Sequence, residues 1–533
     1  MRERTFLKRR VRNFALGLAL LWAAAVVANA ATNETPRLVS ADWQQTNGPL
    51  NTMFKFCVGA GRANEGLRAD WQQQLACVHR ECGFEYVRMH GLFCDDMGVY
   101  RDYGTPEYNW QYIDRLYDFL ETIGMKPFVE LGFMPGGLSS GSQTIFWWKG
   151  NVTPPRDMTK WADFIRAFVL HERERYGDAE VRTWYFEVWN EPNLKGGFWA
   201  GTQQQYFDLY AATARAIKSV SPDYKVGGPA TAGCGWIPEF IHFCDTNHAP
   251  VDFISTHTYG VESGFLDEHG DGGTVLSRNP DSISGDVKRV RQQIAESAIP
   301  GLELHFTEWS SSYTPSDPFH DSYHSAAYIL DKLKQSGDGA QSMSYWTFTD
   351  IFEECGPRWE AFHGGFGLMN YQDIKKPAFY AYQFLNRLGP VALKDNDPSS
   401  WICKDTNGGV QALVWDFTNT HPGPQVHNQV FYQRDLPAQS KYKVTLDLSH
   451  LPKGKYTVTT YKVGDRVNDA YATYRDLGSP AQLTRAQVEQ IRAANSGAPE
   501  AVRTITIGRK GKFNDQFDLR ENDVVLVTLR PQR

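Results

Sequence analysis

Two glutamates stand where acid–base chemistry on a bound substrate would need them. Glu191 closes the run Trp184-Tyr185-Phe186-Glu187-Val188-Trp189-Asn190-Glu191, and Glu308 closes His305-Phe306-Thr307-Glu308. Aromatic and β-branched residues of this kind suit a buried pleated strand. Pro192 has no N–H and restricts the residue before it, so the first strand is expected to stop at Glu191. A carboxyl is then left at the C-terminal mouth of a core strand, beside an amide and among indole rings. Burial of that kind raises a carboxyl pKa and makes a proton donor near neutral pH. Either glutamate alone would fit a helix cap or an arginine partner equally well; the two together argue for chemistry.

The elements that must position them alternate between strand and helix. Candidate strands are Phe54–Gly59, Tyr86–Leu92, Lys126–Phe133, Trp184–Glu191, Lys225–Pro229, Phe253–Tyr259, Glu303–Glu308 and Ser342–Phe348. Amphipathic stretches such as Trp110–Ile123, Thr159–Tyr176, Gln203–Val220 and Ser322–Gln335 lie between them. This order predicts an α/β fold, a (β/α)8 TIM barrel over residues 53–388. Gly59-Ala60-Gly61-Arg62 lacks the rest of a dinucleotide fingerprint and reads as a loop. Past Gly389-Pro390 the texture changes to short alternating runs (Val410–Phe417, Lys443–Leu448, Tyr456–Tyr461, Arg503–Ile507, Asp523–Leu529) with one helical insert, Thr484–Ala494. Residues 389–533 are therefore expected to form an accessory antiparallel β-sandwich. Residues 31–52 are available to add a strand to it.

In such a barrel the catalytic groups project from the C-terminal ends of the strands. Glu191 on the fourth strand and Glu308 on the seventh then face one another across the mouth. Retaining glycosidases need two carboxyl groups about 5–5.5 Å apart, one as nucleophile and one as acid/base. Glu191, in aromatic and proline surroundings, suits the acid/base. Glu308 suits the nucleophile if Tyr259 and other donors keep it ionised.

Longer motifs narrow the reading. Phe186-Glu187-Val188-Trp189-Asn190-Glu191-Pro192-Asn193, Thr307-Glu308-Trp309-Ser310-Ser311-Ser312-Tyr313, His90-Gly91-Leu92-Phe93-Cys94-Asp95-Asp96, Phe146-Trp147-Trp148-Lys149-Gly150-Asn151 and Trp346-Thr347-Phe348-Thr349-Asp350-Ile351-Phe352-Glu353-Glu354 occur together. In them the chain resembles glycoside hydrolase family 39, and within it the bacterial β-xylosidases. The resemblance spans roughly residues 50–385. It implies Glu191 as acid/base, Glu308 as nucleophile, and Asn190 on the sugar 2-hydroxyl. It further implies a pocket completed by His90, His257, Tyr259, Tyr313 and one or both of Glu353 and Glu354, with Trp346 and the Trp147-Trp148 pair as stacking walls or lids. The family also holds α-L-iduronidases, whose substrate carries a carboxylate. Neither Trp309-Ser310-Ser311-Ser312-Tyr313 nor the acidic run after the eighth strand looks like a uronate clamp, and Lys195 lies beyond the mouth. A neutral pentose is therefore expected: β-D-xylose released from short xylo-oligosaccharides, with an arabinosyl ring as the alternative. A non-catalytic sugar-binding protein is a third reading, disfavoured because a binder needs no glutamate pair.

Composition bounds the rest. The first thirty residues carry six basic residues, the apolar stretch Phe14–Val27 and Ala28-Asn29-Ala30, the pattern of a cleaved signal peptide. Export to the periplasm or outside the cell is expected, by the general route rather than the twin-arginine one. Without that leader the chain has 49 basic and 60 acidic residues, a balance with no footprint for nucleic acid or an anionic membrane. The expected partner is a small oligosaccharide, with homo-oligomerisation left open. Eight scattered cysteines show no CxxC or metal-like spacing, and no HExxH occurs, so neither metal nor cofactor is expected. Export permits a disulfide, for which Cys77 and Cys82 are the nearest pair.

Overall fold

A computed structural model describes residues 35–265, 272–419 and 437–532; the leader expected over residues 1–30 lies outside the described residues. After a first strand β1 (Thr35–Pro49) come eight barrel strands: β2 (Cys57–Arg62), β3 (Tyr86–His90), β4 (Lys126–Glu130), β5 (Tyr185–Glu187), β6 (Lys225–Thr231), β7 (Phe253–Tyr259), β8 (Glu303–Ser310) and β9 (Ser342–Tyr345). They close into one barrel in chain order, and every neighbouring pair is parallel. Each is followed by a helix: α1 (Ala69–Cys82), α2 (Gln111–Ile123), α3 (Met158–Tyr176), α4 (Gln203–Val220), α5 (Ile237–Thr246), α6 (Ser284–Ala295), α7 (His324–Ser336) and α8 (Pro377–Asn386). The (β/α)8 architecture is the one the alternation predicts.

Several strand boundaries differ from expectation, two of them for clear local reasons. Met53–Lys55 forms a 3-10 turn, its first N–H bonded to the Asn51 side chain, so the strand starts at Cys57 rather than Phe54. The run expected to pair through Glu191 leaves the ladder after Glu187. Trp189 and Glu191 take positive φ values of 74° and 44°, a costly region for non-glycine residues. The Glu191 N–H is still satisfied, by Ala230 O at 2.8 Å. The strand is bent out of register, and its last carboxyl turns into the mouth.

Strand alternation fills the barrel in layers. Tyr86, Phe128, Tyr185 and Phe253 form an aromatic floor, with Phe128 stacked on Tyr185 at 5.1 Å. Two residues on, Arg88, Glu130, Glu187 and Ser255 make a polar middle layer, all buried. Two further on stand His90, which lines the mouth, and His257, wholly buried. Gly59 admits the Trp346 indole against β2: a Cβ there would meet Trp346 Cε3 at 2.3 Å.

The second unit is a nine-stranded sheet built from β1 together with β10 (Val391–Asp395), β11 (Ser400–Lys404), β12 (Val410–Trp415), β13 (Ser440–Ser449), β14 (Gly454–Val463), β15 (Ala501–Ile507), β16 (Phe513–Arg520) and β17 (Val524–Pro531). Its order is β15-β14-β17-β12-β11-β10-β1-β13-β16. The expectation of a wholly antiparallel layer needs correcting, because β1 pairs antiparallel with β10 but parallel with β13. The two edge strands approach one another, Arg503 reaching Asp515 at 2.6 Å, and their apolar residues share one core with Val39, Ile402 and Val527. Leu413, Trp415, Val524 and Leu526 instead join the barrel core, so the sheet is anchored on the helices rather than tethered. The helical insert, Arg485–Ala494 with its Thr484 capping box, bonds back to the barrel through Arg492 and Gln372.

All eight cysteines are free. Cys77 and Cys82 are five residues apart on α1, roughly 140° around the helix. Cys77 Sγ faces Glu81 and Cys82 Sγ faces the Phe379 carbonyl. Thiol titration in denaturant without reductant is expected to return eight thiols; six would mean a bridge that this helix does not allow.

Candidate active site

A cavity of about 620 Å³ opens at the C-terminal ends of the barrel strands, lined among others by His90, Asn190, Glu191, Tyr259, Glu308, Tyr313, Trp346 and Glu354. At its base one carboxylate oxygen of Glu191 and one of Glu308 lie within 4.8 Å of each other. That is the separation of two groups acting on one carbon, with no room for a water between them and the sugar.

The two carboxyls have opposite surroundings. Both oxygens of Glu308 meet donors: Arg88 Nη1 to Oε1 at 2.7 Å and the Tyr259 hydroxyl to Oε2 at 2.7 Å. These charge-assisted bonds stabilise the anion. Glu191 has one close protein contact, His257 Nδ1 at 2.8 Å from Oε1. Burial pushes its pKa up to about 7, with Glu130 adding to the rise against His90 and Arg88. His90 and His257 are themselves pushed down to about 4 by burial and stand neutral at pH 7. Neutral His257 can donate Nδ1–H to Oε1 of Glu191, leaving Oε2 as the oxygen that carries a proton. Burial, with the charge of Glu308, also holds the Glu354 carboxyl well above the usual range.

Arg88 holds this arrangement together from below. Fully buried, it donates Nε to Glu187 Oε2 (2.5 Å), Nη1 to Glu308 and Nη2 to Asn190 Oδ1 (2.9 Å), and Nη2 lies 3.0 Å from Glu130 Oε2. Against burial, Glu187, Glu130 and Glu308 keep the guanidinium charged. Against burial likewise, Arg88 holds Glu187 below its ordinary pKa. The bond to Asn190 fixes that amide with its oxygen toward Arg88 and its NH2 away from it. Glu130 is pushed up to about 8 by burial and bonds His90 Nδ1 at 2.6 Å.

The remaining candidates divide. His90, Asn190, Tyr259, Tyr313, Trp346 and Glu354 line the cavity. Tyr313 is 58% exposed and stands edge-on to Tyr259 at 5.9 Å. His257 is corrected from a pocket residue to a backing one: wholly buried, it sits behind the two carboxyls, 2.8 Å from Glu191 and 3.5 Å from Glu308. Glu353 is not in the pocket; it braces the loop through Arg68 (3.0 Å) and Arg62 (3.4 Å). Trp147 is likewise outside the lining, its exposed ring packed over Gly356, while Phe146 points inward instead. Residues the sequence reading did not single out include Arg88, Glu130 and Glu187. Arg88 was findable, since it precedes His90 by two on the same inward face of β3.

Glu191, His257 and Glu308 together resemble a three-donor metal set. Arg88 and Tyr259 already donate to the two oxygens of Glu308, and His257 Nδ1 is taken by Glu191, so a cation there would have to compete with these bonds. The donor chemistry fits proton transfer better than metal binding.

Comparison with known proteins agrees with this geometry. The family profile of Glycosyl hydrolases family 39 matches residues 37–512. The chain belongs to glycoside hydrolase family 39. A β-xylosidase of Geobacillus stearothermophilus is 38% identical over 90% of this chain and 93% of its own. The GH39 enzyme from Xanthomonas axonopodis pv. citri superimposes with a TM-score of 0.91 at 46% identity, covering 95% of this chain and all of its own. A monomeric β-xylosidase from Caulobacter crescentus CB15 superimposes with a TM-score of 0.90 at 45% identity, covering 93% and 100%. This member of family 39 is a glycosidase.

The Arg88 arrangement gives a direct test. Arg88→Lys keeps the charge but loses the fork that serves four acceptors at once. The cost is about 2–4 kcal/mol, so kcat/KM is expected to fall roughly 30- to 1,000-fold with the fold retained by circular dichroism. Wild-type turnover in this variant would show that Glu308 and Asn190 are placed without it.

Proposed function

We infer that this chain is a retaining exo-β-xylosidase, with Glu308 as nucleophile and Glu191 as acid/base. The observation that carries the reading is the pair of carboxyls within 4.8 Å of each other, one held by two donors and the other raised by burial to about 7. Glu308 attacks the anomeric carbon as Glu191 passes its proton to the departing oxygen. Glu191, now ionised, takes a proton from water, which displaces Glu308 and restores the starting configuration. The NH2 of Asn190 is turned to meet the sugar 2-hydroxyl. Glu354 and neutral His90, their side chains 3.7 Å apart, stand ready for hydroxyls further round the ring. Trp346 supplies an apolar face.

Several observations support a neutral pentose. No Lys or Arg is among the described residues lining the cavity, so nothing there would pair with a uronate carboxylate. The relatives named above as β-xylosidases favour xylose over arabinose. A cavity of about 620 Å³ suits one sugar and a leaving group better than a long chain, which favours release from the non-reducing end. The basic-then-apolar segment at residues 1–30 favours export, with action in the periplasm or outside the cell.

Glu191 must be protonated to act as acid, and its raised pKa keeps it so up to about 7. The expected kcat/KM on an alkyl xyloside therefore falls tenfold per pH unit above that point. In Glu191→Gln this alkaline limb disappears and turnover drops by roughly 10²–10⁴. Dinitrophenyl β-xyloside, whose leaving group needs no proton, should be spared in the first step. A limb that survives in Glu191→Gln assigns the acid elsewhere.

The function as a whole is tested by proton NMR of the first sugar released from an aryl β-D-xyloside. β-Xylose appearing before mutarotation supports the assignment. α-Xylose first would remove the nucleophile role of Glu308, and no turnover with an active α-L-arabinoside would replace the sugar.

A further inference from the structure

The cavity is sharply divided in its chemistry. Apart from the Trp346 ring, the side chains that would meet the sugar undergoing cleavage are polar: His90, Asn190, Glu191, Tyr259, Glu308 and Glu354. Glu191 hands its proton to the leaving oxygen, so the departing group lies along the loop that follows Glu191 and the loop beside it after β6. Those loops present Leu194, Phe198, Ala232 and Gly233 to the cavity, with Phe146 and Val261 flanking them.

This half is held in place without leaving polar side chains for a ligand. Asn193, in the loop after Glu191, commits its amide to Ala232, donating Nδ2 to the carbonyl and accepting the N–H on Oδ1, both at 2.9 Å. Leu194 N–H bonds back to the Glu191 carbonyl at 3.0 Å, which leaves its side chain 41% exposed at the rim. Phe198 packs edge-on against Phe146 at 5.4 Å, and its carbonyl is taken by Trp189 Nε1 at 2.8 Å. The other polar lining groups, Tyr313 and Cys355, adjoin Tyr259 and Glu354 on the sugar side. Among the described lining residues, the leaving-group half offers no carboxylate, side-chain amide or cation.

We propose that this half of the pocket is an apolar aglycone subsite, and that the enzyme takes xylosides of hydrophobic alcohols or phenols in preference to a second sugar. A second xylose would bring hydroxyls that lose water without finding partners, which is unfavourable. An alkyl or aryl group would gain from every methylene it buries against Leu194, Phe198 and Phe146. The proposal rests on the acid/base role of Glu191, which sets the direction of departure.

The test compares kcat/KM for methyl β-D-xyloside, hexyl β-D-xyloside and xylobiose. Methanol and hexanol are of similar acidity, so the ratio of the first two reads binding along the aglycone rather than bond chemistry. Hexyl is expected to exceed both methyl and xylobiose at least tenfold, and Leu194→Ser to lower the hexyl-to-methyl ratio at least threefold. A ratio near one, a preference for xylobiose, or a ratio indifferent to Leu194→Ser would overturn the subsite. A methyl and hexyl α-L-arabinopyranoside pair is run in parallel. If the sugar assignment is wrong, both xylosides fail together, and the arabinoside ratio then decides the aglycone question by the same criteria.

Discussion

One buried guanidinium sets the terms for everything above it in this barrel. Arg88 has no exposed surface, and its donors run to Glu187, Asn190 and Glu308, with Glu130 alongside. A cation so enclosed is tolerable only when its partners are close and well directed. Three strands therefore have to deliver acceptors to one point: β4 with Glu130, β5 with Glu187, and β8 with the glutamate at its upper end. The return for that constraint is a nucleophile and a sugar-binding amide fixed by the same fork. Because guanidinium geometry is rigid, placing one acceptor places the others.

The neighbouring acids show how little sequence distance is needed for contrasting behaviour. Glu187 and Glu191 lie four residues apart in one run, yet Arg88 holds the first low while burial holds the second high. The bend that makes this possible is in the backbone. Once the chain leaves β5, positive φ at Trp189 and Glu191 swings the second carboxyl away from the guanidinium and toward His257. An unbroken strand through Glu191 would place its side chain by strict alternation and give no such freedom.

The barrel was legible because its strands are buried on both sides and read as apolar runs, and its helices as amphipathic ones. The two principal glutamates were legible because each ends such a run. What escaped was the polar middle layer. Arg88, Glu130 and Glu187 sit inside hydrophobic strands, where a single charge reads as an interruption unless its partners on other strands are known. Glu353 and Glu354 are adjacent in sequence and chemically alike, and which one enters the cavity depends on Arg62 and Arg68, some 285 residues away. In the sheet, β16 (Phe-Asn-Asp-Gln-Phe-Asp-Leu-Arg) was hidden by its polar outward face, and β10 and β11 by their shortness.

The place of β1 carries a consequence for how the molecule is made. It lies in the interior of the nine-stranded sheet, with Ala41 opposite Asp395 on one side and Thr35 opposite Tyr442 on the other. Its partners lie some 350–400 residues further along the chain, beyond the whole barrel. Contacts of such long range are slow to form. Until they do, β1 is an unpaired ribbon and the sheet it will bridge is two separate pieces. The segments flanking the barrel are thus joined in one late cooperative step.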